Sequence, residues 1–202
     1  MSRTTSAQAA LEAIRRSRVI GIVRARSSAE ALDDARALRG AGVSAIEISL
    51  VTPDAVDVIA RLAEEGFCIG VGTALRTEEV DAAARAGAAF VVSPNLDERV
   101  VAATLGHGLA SLPGVGTVSE ATRARELGAD LVKLFPAVTF GPEGVKAILA
   151  SLPDLQLAPT GGLSVSDVPC YLEAGAAAVG MGSGLVRAAR ENPEAVRRLV
   201  TN

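Results

Sequence analysis

The run ADLVKLFPA, residues 129–137, sets Lys133 among apolar residues that read as a buried strand, and AIEISL, residues 45–50, does the same for Glu47. An unpaired ammonium or carboxylate held away from water is costly, so each charge needs a partner or a purpose. The two could simply satisfy each other as a buried ion pair that fixes packing, or the lysine head could escape to solvent. Composition points to chemistry instead. The chain has two lysines, Lys133 and Lys146, against eighteen arginines, so a cation is nearly always written as Arg. A desolvated amine can lose its proton and attack a carbonyl carbon, whereas a guanidinium stays protonated. Lys133 is therefore a candidate Schiff-base nucleophile. Glu47 is the carboxylate able to move the protons that making and breaking an imine require, directly or through one water. The only histidine, His107, falls in a helix-to-strand turn at the opposite end of the expected architecture and reads as a turn residue.

Anion-binding chemistry has its own signals. Arg24 follows the run VIGIV, and its fork suits a carboxylate or a pair of phosphate oxygens. It could equally be a rim arginine paired with a helix acid. Thr73, which ends GVGT, could donate to the same carboxylate, and Arg26 reads as part of a solvated loop. Two glycine-rich stretches, APTGGLSVSDV (158–168) and AVGMGSGLVRAA (178–189), follow the last two apolar runs. Their Gly161, Gly162, Gly182 and Ser183 are candidates for a phosphate cradle built from backbone N–H groups and one hydroxyl. No Walker-type lysine follows either stretch, so this is no nucleotide P-loop.

The elements that must position these groups form a repeat. Apolar runs VIGIV, AIEISL, CIGVGT, FVVSP, ASLPGV, LVKLFPA, LQLAPTG and AAVGMGS recur with helical patterns between them. Each begins roughly 20–26 residues after the last, the length of a strand, a helix and two short loops. Continuous apolar runs, without apolar and polar alternation, indicate a parallel sheet buried on both faces. In RGAGVSAIEI, EEGFCIGV, RAGAAFVV, ELGADLVKL and EAGAAAVGM a glycine closes the preceding helix. Eight such units predict an α/β fold of the (β/α)8 TIM-barrel class, one domain over residues 1–202, with residues 1–18 a short amphipathic helix closing the barrel bottom. An open doubly wound sheet is the alternative, because 202 residues lies near the small end for a barrel.

The bulk numbers exclude other classes. The net charge is −3 and basic residues are not gathered on one stretch, which argues against nucleic acid or an anionic membrane as partner. No apolar segment reaches the ~18 residues of a membrane span, and the N-terminus is unlike a signal peptide. Cys68 and Cys170 stand alone, without the spacing of a zinc site or a disulfide framework. A cytoplasmic location is expected.

The ordered motifs EISL, GVGT, VVSPN, LPGVGTVSEA, LVKLFPA, FGPEGVKAI, PTGG and GMGS resemble the 2-keto-3-deoxy-6-phosphogluconate aldolases and their 6-phosphogalactonate relatives. That class I family also includes 4-hydroxy-2-oxoglutarate aldolase activity. The resemblance runs from about residue 19 to the final helix. It implies a (β/α)8 barrel, usually a homotrimer, that uses no metal or other cofactor and cleaves a phosphorylated keto acid to pyruvate and D-glyceraldehyde 3-phosphate. It further implies Lys133 as the Schiff-base lysine and Glu47 as the general acid/base. Thr73, Pro94, Phe135 and Thr160 correspond to residues around the pyruvyl group, and Gly161, Gly162, Gly182 and Ser183 to the phosphate cradle. One departure concerns the substrate carboxylate. Many gluconate-type members follow the glutamate with TLRT, whose arginine helps hold that group; here SLVTP puts Val51 in its place. Arg24, present as in galactonate-type members, is expected to take over. Two rival readings stay open on the residues alone: a phosphosugar isomerase or synthase barrel without Schiff-base chemistry, and a non-catalytic barrel used for sensing or assembly.

Overall fold

A computed structural model describes residues 5–201. Residues 1–4 of the expected N-terminal helix, and the last residue of the expected domain, lie outside the described residues. The chain opens with α1 (Thr5–Ser17) and then alternates: β1 (Val19–Val23), α2 (Ser28–Gly40), β2 (Ala45–Ser49), α3 (Ala55–Glu64), β3 (Ile69–Gly72), α4 (Thr77–Arg85), β4 (Phe90–Val92) and α5 (Glu98–Gly106). It continues through β5 (Ala110–Leu112), β6 (Gly114–Val115), α6 (Val118–Glu126), β7 (Val132–Leu134), α7 (Gly141–Ser151) and β8 (Leu157–Pro159). It ends with α8 (Val168–Glu173), β9 (Val179–Met181), α9 (Ser183–Glu191) and α10 (Pro193–Thr201). No helix among the described residues is long and apolar enough to cross a membrane.

Each expected apolar run contains a strand, with one difference. ASLPGV is divided into β5 and β6 at Pro113, which has no N–H to give to a ladder. Its carbonyl still serves, accepting the N–H of Lys133 at 2.9 Å. Helix ends follow the glycine signals. Gly42 shows the device: its φ of +93° is open to a residue without Cβ, and it lets the N–H of Gly42 reach the carbonyl of Arg39 and that of Val43 reach Leu38. Gly66, Gly87, Gly128 and Gly175 take the same left-handed form.

All strand pairings are parallel. Six strands form one curled sheet in the order β5-β4-β3-β2-β1-β9, and three form a second in the order β6-β7-β8. The chain itself joins the sheets at Pro113, where the N–H groups of Asp130 and Leu131 also reach Ser111 O. On the other side a parallel bridge pairs Thr160 with Gly180. The result is an α/β fold with a curled parallel sheet wrapped by helices.

Two apolar clusters fill it. The larger packs helices against the outer faces of the strands, through residues such as Leu38, Ile48, Leu62, Val71 and Leu157. The smaller gathers residues at or near the N-terminal ends of the strands, Ile20, Ala45, Phe90, Ala110, Leu131 and Ala178, around Ala10, Leu11 and Ile14 of α1. Chemistry is thereby confined to the opposite ends of the strands, where loops can vary without disturbing this floor.

Candidate active site

Lys133 in β7 and Glu47 in β2 line one cavity at the strand ends and are 8% and 2% exposed. Beneath them Ile22, Val92 and Leu112 border a small space of about 10 Å³. Burial pushes the Glu47 carboxyl above its ordinary value of 4.5, against the lowering pull of Lys133 first and Arg24 second. These two cations act on Glu47 through space, without a direct hydrogen bond. The lysine and glutamate are thus near neighbours held apart, and not the closed ion pair that would merely fix packing. The Lys133 ammonium lies 5.1 Å from the centre of the Phe135 ring, two residues on along the same strand face.

Above them opens a cavity of about 700 Å³. It brings together all of the expected catalytic and substrate-binding residues. Lys133, Glu47, Thr160 and Phe135 line its inner part, with Arg24, Thr73 and Pro94 around them. Gly161 and Gly162 after β8, and Gly182 and Ser183 at the start of α9, line the side formed by the last two strands. Val51 is 57% exposed and is not among the lining residues. Among the described residues Arg24 makes no ion pair with a helix acid; Arg26 does, with Glu30 at 3.7 Å, and its side chain is 94% exposed. His107, capping the end of α5, bonds Asp81 at 2.6 Å, away from the cavity.

Local structure explains the positions. Thr73 has a left-handed φ of +65°, unusual for a residue with a branched Cβ, and its hydroxyl bonds that of fully buried Ser49 at 2.8 Å. The β7 and β8 loops are tied by Ala137 N to Thr160 O at 2.8 Å and Val138 N to Gly161 O at 3.2 Å. Gly161 and Gly162 serve this packing too: a Cβ on Gly161 would lie 2.8 Å from the Phe135 ring, and one on Gly162 would lie 2.7 Å from Val138.

Several residues were not singled out in the sequence. Gly72 and Gly180 are strand glycines whose missing side chains leave room for the Glu47 carboxylate and the Thr160 side chain. A glycine inside a strand run is a recognised sign of close approach and was available as a signal. Arg187 and Arg190 of α9 and the buried Asp34 of α2 also line the cavity. Arg190 meets Asp34 at 2.5 Å, and burial still raises the Asp34 carboxyl above its ordinary value despite that guanidinium. The signal was the spacing of Ser183, Arg187 and Arg190, which puts them on one helix stripe.

A buried amine, a neighbouring carboxylate of raised pKa and a cavity lined by glycines and further cations can form an imine, shuttle protons and hold a doubly anionic ligand. Comparison with known proteins agrees with this chemistry. The family model described as "Aldolase: KDPG and KHG aldolase" matches residues 11–199. The chain is 37% identical over 174 residues to the 2-dehydro-3-deoxy-6-phosphogalactonate aldolase of Escherichia coli K12, covering 84% of this chain and 85% of that one. It is also 37% identical over 164 residues to the 2-dehydro-3-deoxy-phosphogluconate aldolase of Treponema pallidum, covering 80% and 78%. Among solved structures it superposes, with a TM-score of 0.80, 28% identity and coverage of 95% and 96%, on the KDPG aldolase of Legionella pneumophila with pyruvate captured as a covalent carbinolamine. A match that spans nearly the whole chain, joined to relatives above one-third identity, places this chain in the KDPG and KHG aldolase family.

Proposed function

We propose that the protein is a class I aldolase that cleaves a 2-keto-3-deoxy-6-phospho sugar acid to pyruvate and D-glyceraldehyde 3-phosphate. The observation that carries this reading is Lys133, buried at the inner end of the cavity beside a carboxylate it does not directly bond. The amine attacks the C2 ketone, and Glu47 relays the protons by which the carbinolamine loses water to become an iminium. Glu47 then takes the C4 hydroxyl proton. The C3–C4 bond breaks, its electron pair moves to the iminium nitrogen, and glyceraldehyde 3-phosphate leaves an enamine on Lys133. Protonation at C3 and addition of water to the iminium carbon release pyruvate and restore the amine.

Arg24 is the group to hold the substrate carboxylate. It lines the cavity without an ion-pair partner among the described residues and acts on Glu47, so it stands near the carbon bearing that carboxylate. Val51 lies off the cavity, which supports the galactonate-type arrangement over the gluconate-type one. The pyruvyl end is bounded by Thr73, Pro94, Phe135 and Thr160, and the phosphate end by Gly161, Gly162, Gly182 and Ser183. The two sheets are read as the wall of one closed (β/α)8 barrel, a single domain; the Thr160–Gly180 bridge and the continuity of β5 with β6 support closure. The protein is proposed to act in the cytoplasm as a homotrimer. Val51, Leu75 and Val138, exposed in segments that follow strands, and Val118, exposed at the start of α6, supply apolar surface for such contacts.

The test is to incubate the protein with pyruvate and reduce it with borohydride, which delivers hydride to the iminium carbon and leaves a stable secondary amine. Mass spectrometry is expected to find one adduct, on Lys133, and Lys133→Ala is expected to lose both the adduct and the aldolase activity while keeping the circular dichroism of the wild type. An adduct elsewhere, or turnover in the variant, would remove the assignment.

A further inference from the structure

Four cationic side chains line the cavity: Arg24, Lys133, Arg187 and Arg190. On the reading above, Lys133 takes the ketone and Arg24 the adjacent carboxylate. Arg190 is already engaged, with its guanidinium 2.5 Å from the buried carboxylate of Asp34. Arg187 has neither an ion pair nor a side-chain hydrogen bond among the described residues.

Helix geometry says where Arg187 reaches. Ser183, Arg187 and Arg190 occupy positions i, i+4 and i+7 of α9, while Leu185 and Ala189, on the other side of the helix, are buried in the core. Neighbouring turns of one stripe set Cβ atoms about 5–6 Å apart, and side chains lean toward the helix N-terminus. Arg187 therefore leans toward Ser183 and the free N–H groups of the first turn. It also stands away from the reacting end, since the cations that act on Glu47 are Lys133 and Arg24. The proposed substrate has the same polarity: one carboxylate beside the ketone, and a phosphate at the far end of its carbon chain.

We propose that Arg187 is the guanidinium that engages the substrate phosphate and sets the preference for phosphorylated over unphosphorylated keto acids, with the Asp34–Arg190 pair keeping Arg187 free. Asp34 is the buried acid that α2 brings to the cavity, and it is occupied by Arg190. Arg187 is left available for a bidentate contact with phosphate oxygens, the geometry for which guanidinium is suited. The inference rests on the aldolase reading and deepens its anion subsite.

The test sets Arg187→Ala and Arg187→Lys beside the wild type in two assays. One is KM for cleavage of the phosphorylated substrate; the other is the pyruvate concentration that gives half-maximal borohydride trapping, a ligand with no phosphate. Loss of a charge-assisted contact is expected to raise KM in Arg187→Ala about tenfold or more, with partial recovery in Arg187→Lys and a far smaller shift for pyruvate. An unchanged KM, or equal shifts in both assays, overturns the role of Arg187 while trapping upholds the aldolase. Failure of the wild type to trap pyruvate overturns the aldolase reading and this inference with it.

Discussion

At the scale of single residues, the state of Glu47 is the most informative quantity. Its carboxyl is pushed above 4.5 because burial outweighs the attraction of Lys133 and Arg24. Between the ordinary and the raised value, the native state binds a proton that the unfolded state has lost. Stability therefore falls as pH rises through that window, and deprotonating Glu47 is a cost the fold carries. Glu47→Gln removes the titration while keeping the shape. The variant is expected to lose about 10²–10⁴-fold in kcat, the usual worth of a positioned acid/base group. Its Tm advantage over wild type is expected to grow as pH rises above 4.5 and to vanish below it. The acid limb of the wild-type pH–rate profile should lie above 4.5 and be missing from the variant. Thermal melts and kcat profiles across pH check both, and a wild type as stable as the variant at neutral pH would contradict the burial argument.

At the scale of elements, short strands act by what they leave out as much as by what they present. The Glu47 carboxylate of β2 reaches over Gly72 of β3, where a Cβ would lie 2.5 Å from Oε1 and 2.9 Å from Cδ. Gly70, two residues earlier, instead makes room for the buried ring of Phe90 in the floor. One strand thus divides its two glycines between room for the carboxylate and packing of the floor. Gly72→Ala should turn the Glu47 carboxylate aside and lower kcat about tenfold to a hundredfold, the scale of a small misplacement, with the circular dichroism preserved. Wild-type kcat in that variant would mean the carboxylate has other room. Most of the strands were legible in the sequence because each apolar run sits between a helix pattern and a glycine, and Lys133 and Glu47 stood out as the charges inside those runs. The division at Pro113, the left-handed Thr73 and the space left by Gly72 were less so, because each depends on which residue of a neighbouring strand stands opposite. Arg187 and Arg190 were passed over because, without α2 in view, two arginines on a helix look like any solvated face.

At the scale of the whole molecule, stability and chemistry occupy opposite ends. The cavity opens at the ends of the strands that carry Lys133, Arg24 and Ser183, whereas α1 packs Ala10, Leu11 and Ile14 against strand beginnings. The two regions share Ile20, Val92, Leu112 and Ala158 as an intervening layer, since these residues touch both the α1 cluster and the space beneath Glu47 and Lys133 or border it directly. Because this layer separates α1 from both charged side chains, damage to α1 should be felt as stability and not as rate. Ile14 is 1% exposed and takes no part in the cavity. Ile14→Ala removes buried methylenes and leaves a void, which costs about 2–5 kcal/mol. For a chain of this size that corresponds to a Tm lower by roughly 5–15 °C. Below its melting range the variant should keep kcat and KM within about twofold of wild type, the arrangement typical of barrels whose N-terminal face holds the fold and whose C-terminal face does the work. Calorimetry and steady-state kinetics on the same preparation decide the matter: a fall in kcat without a fall in Tm would mean that α1 sets the position of Glu47 or Lys133 through the Ile20–Leu112 layer.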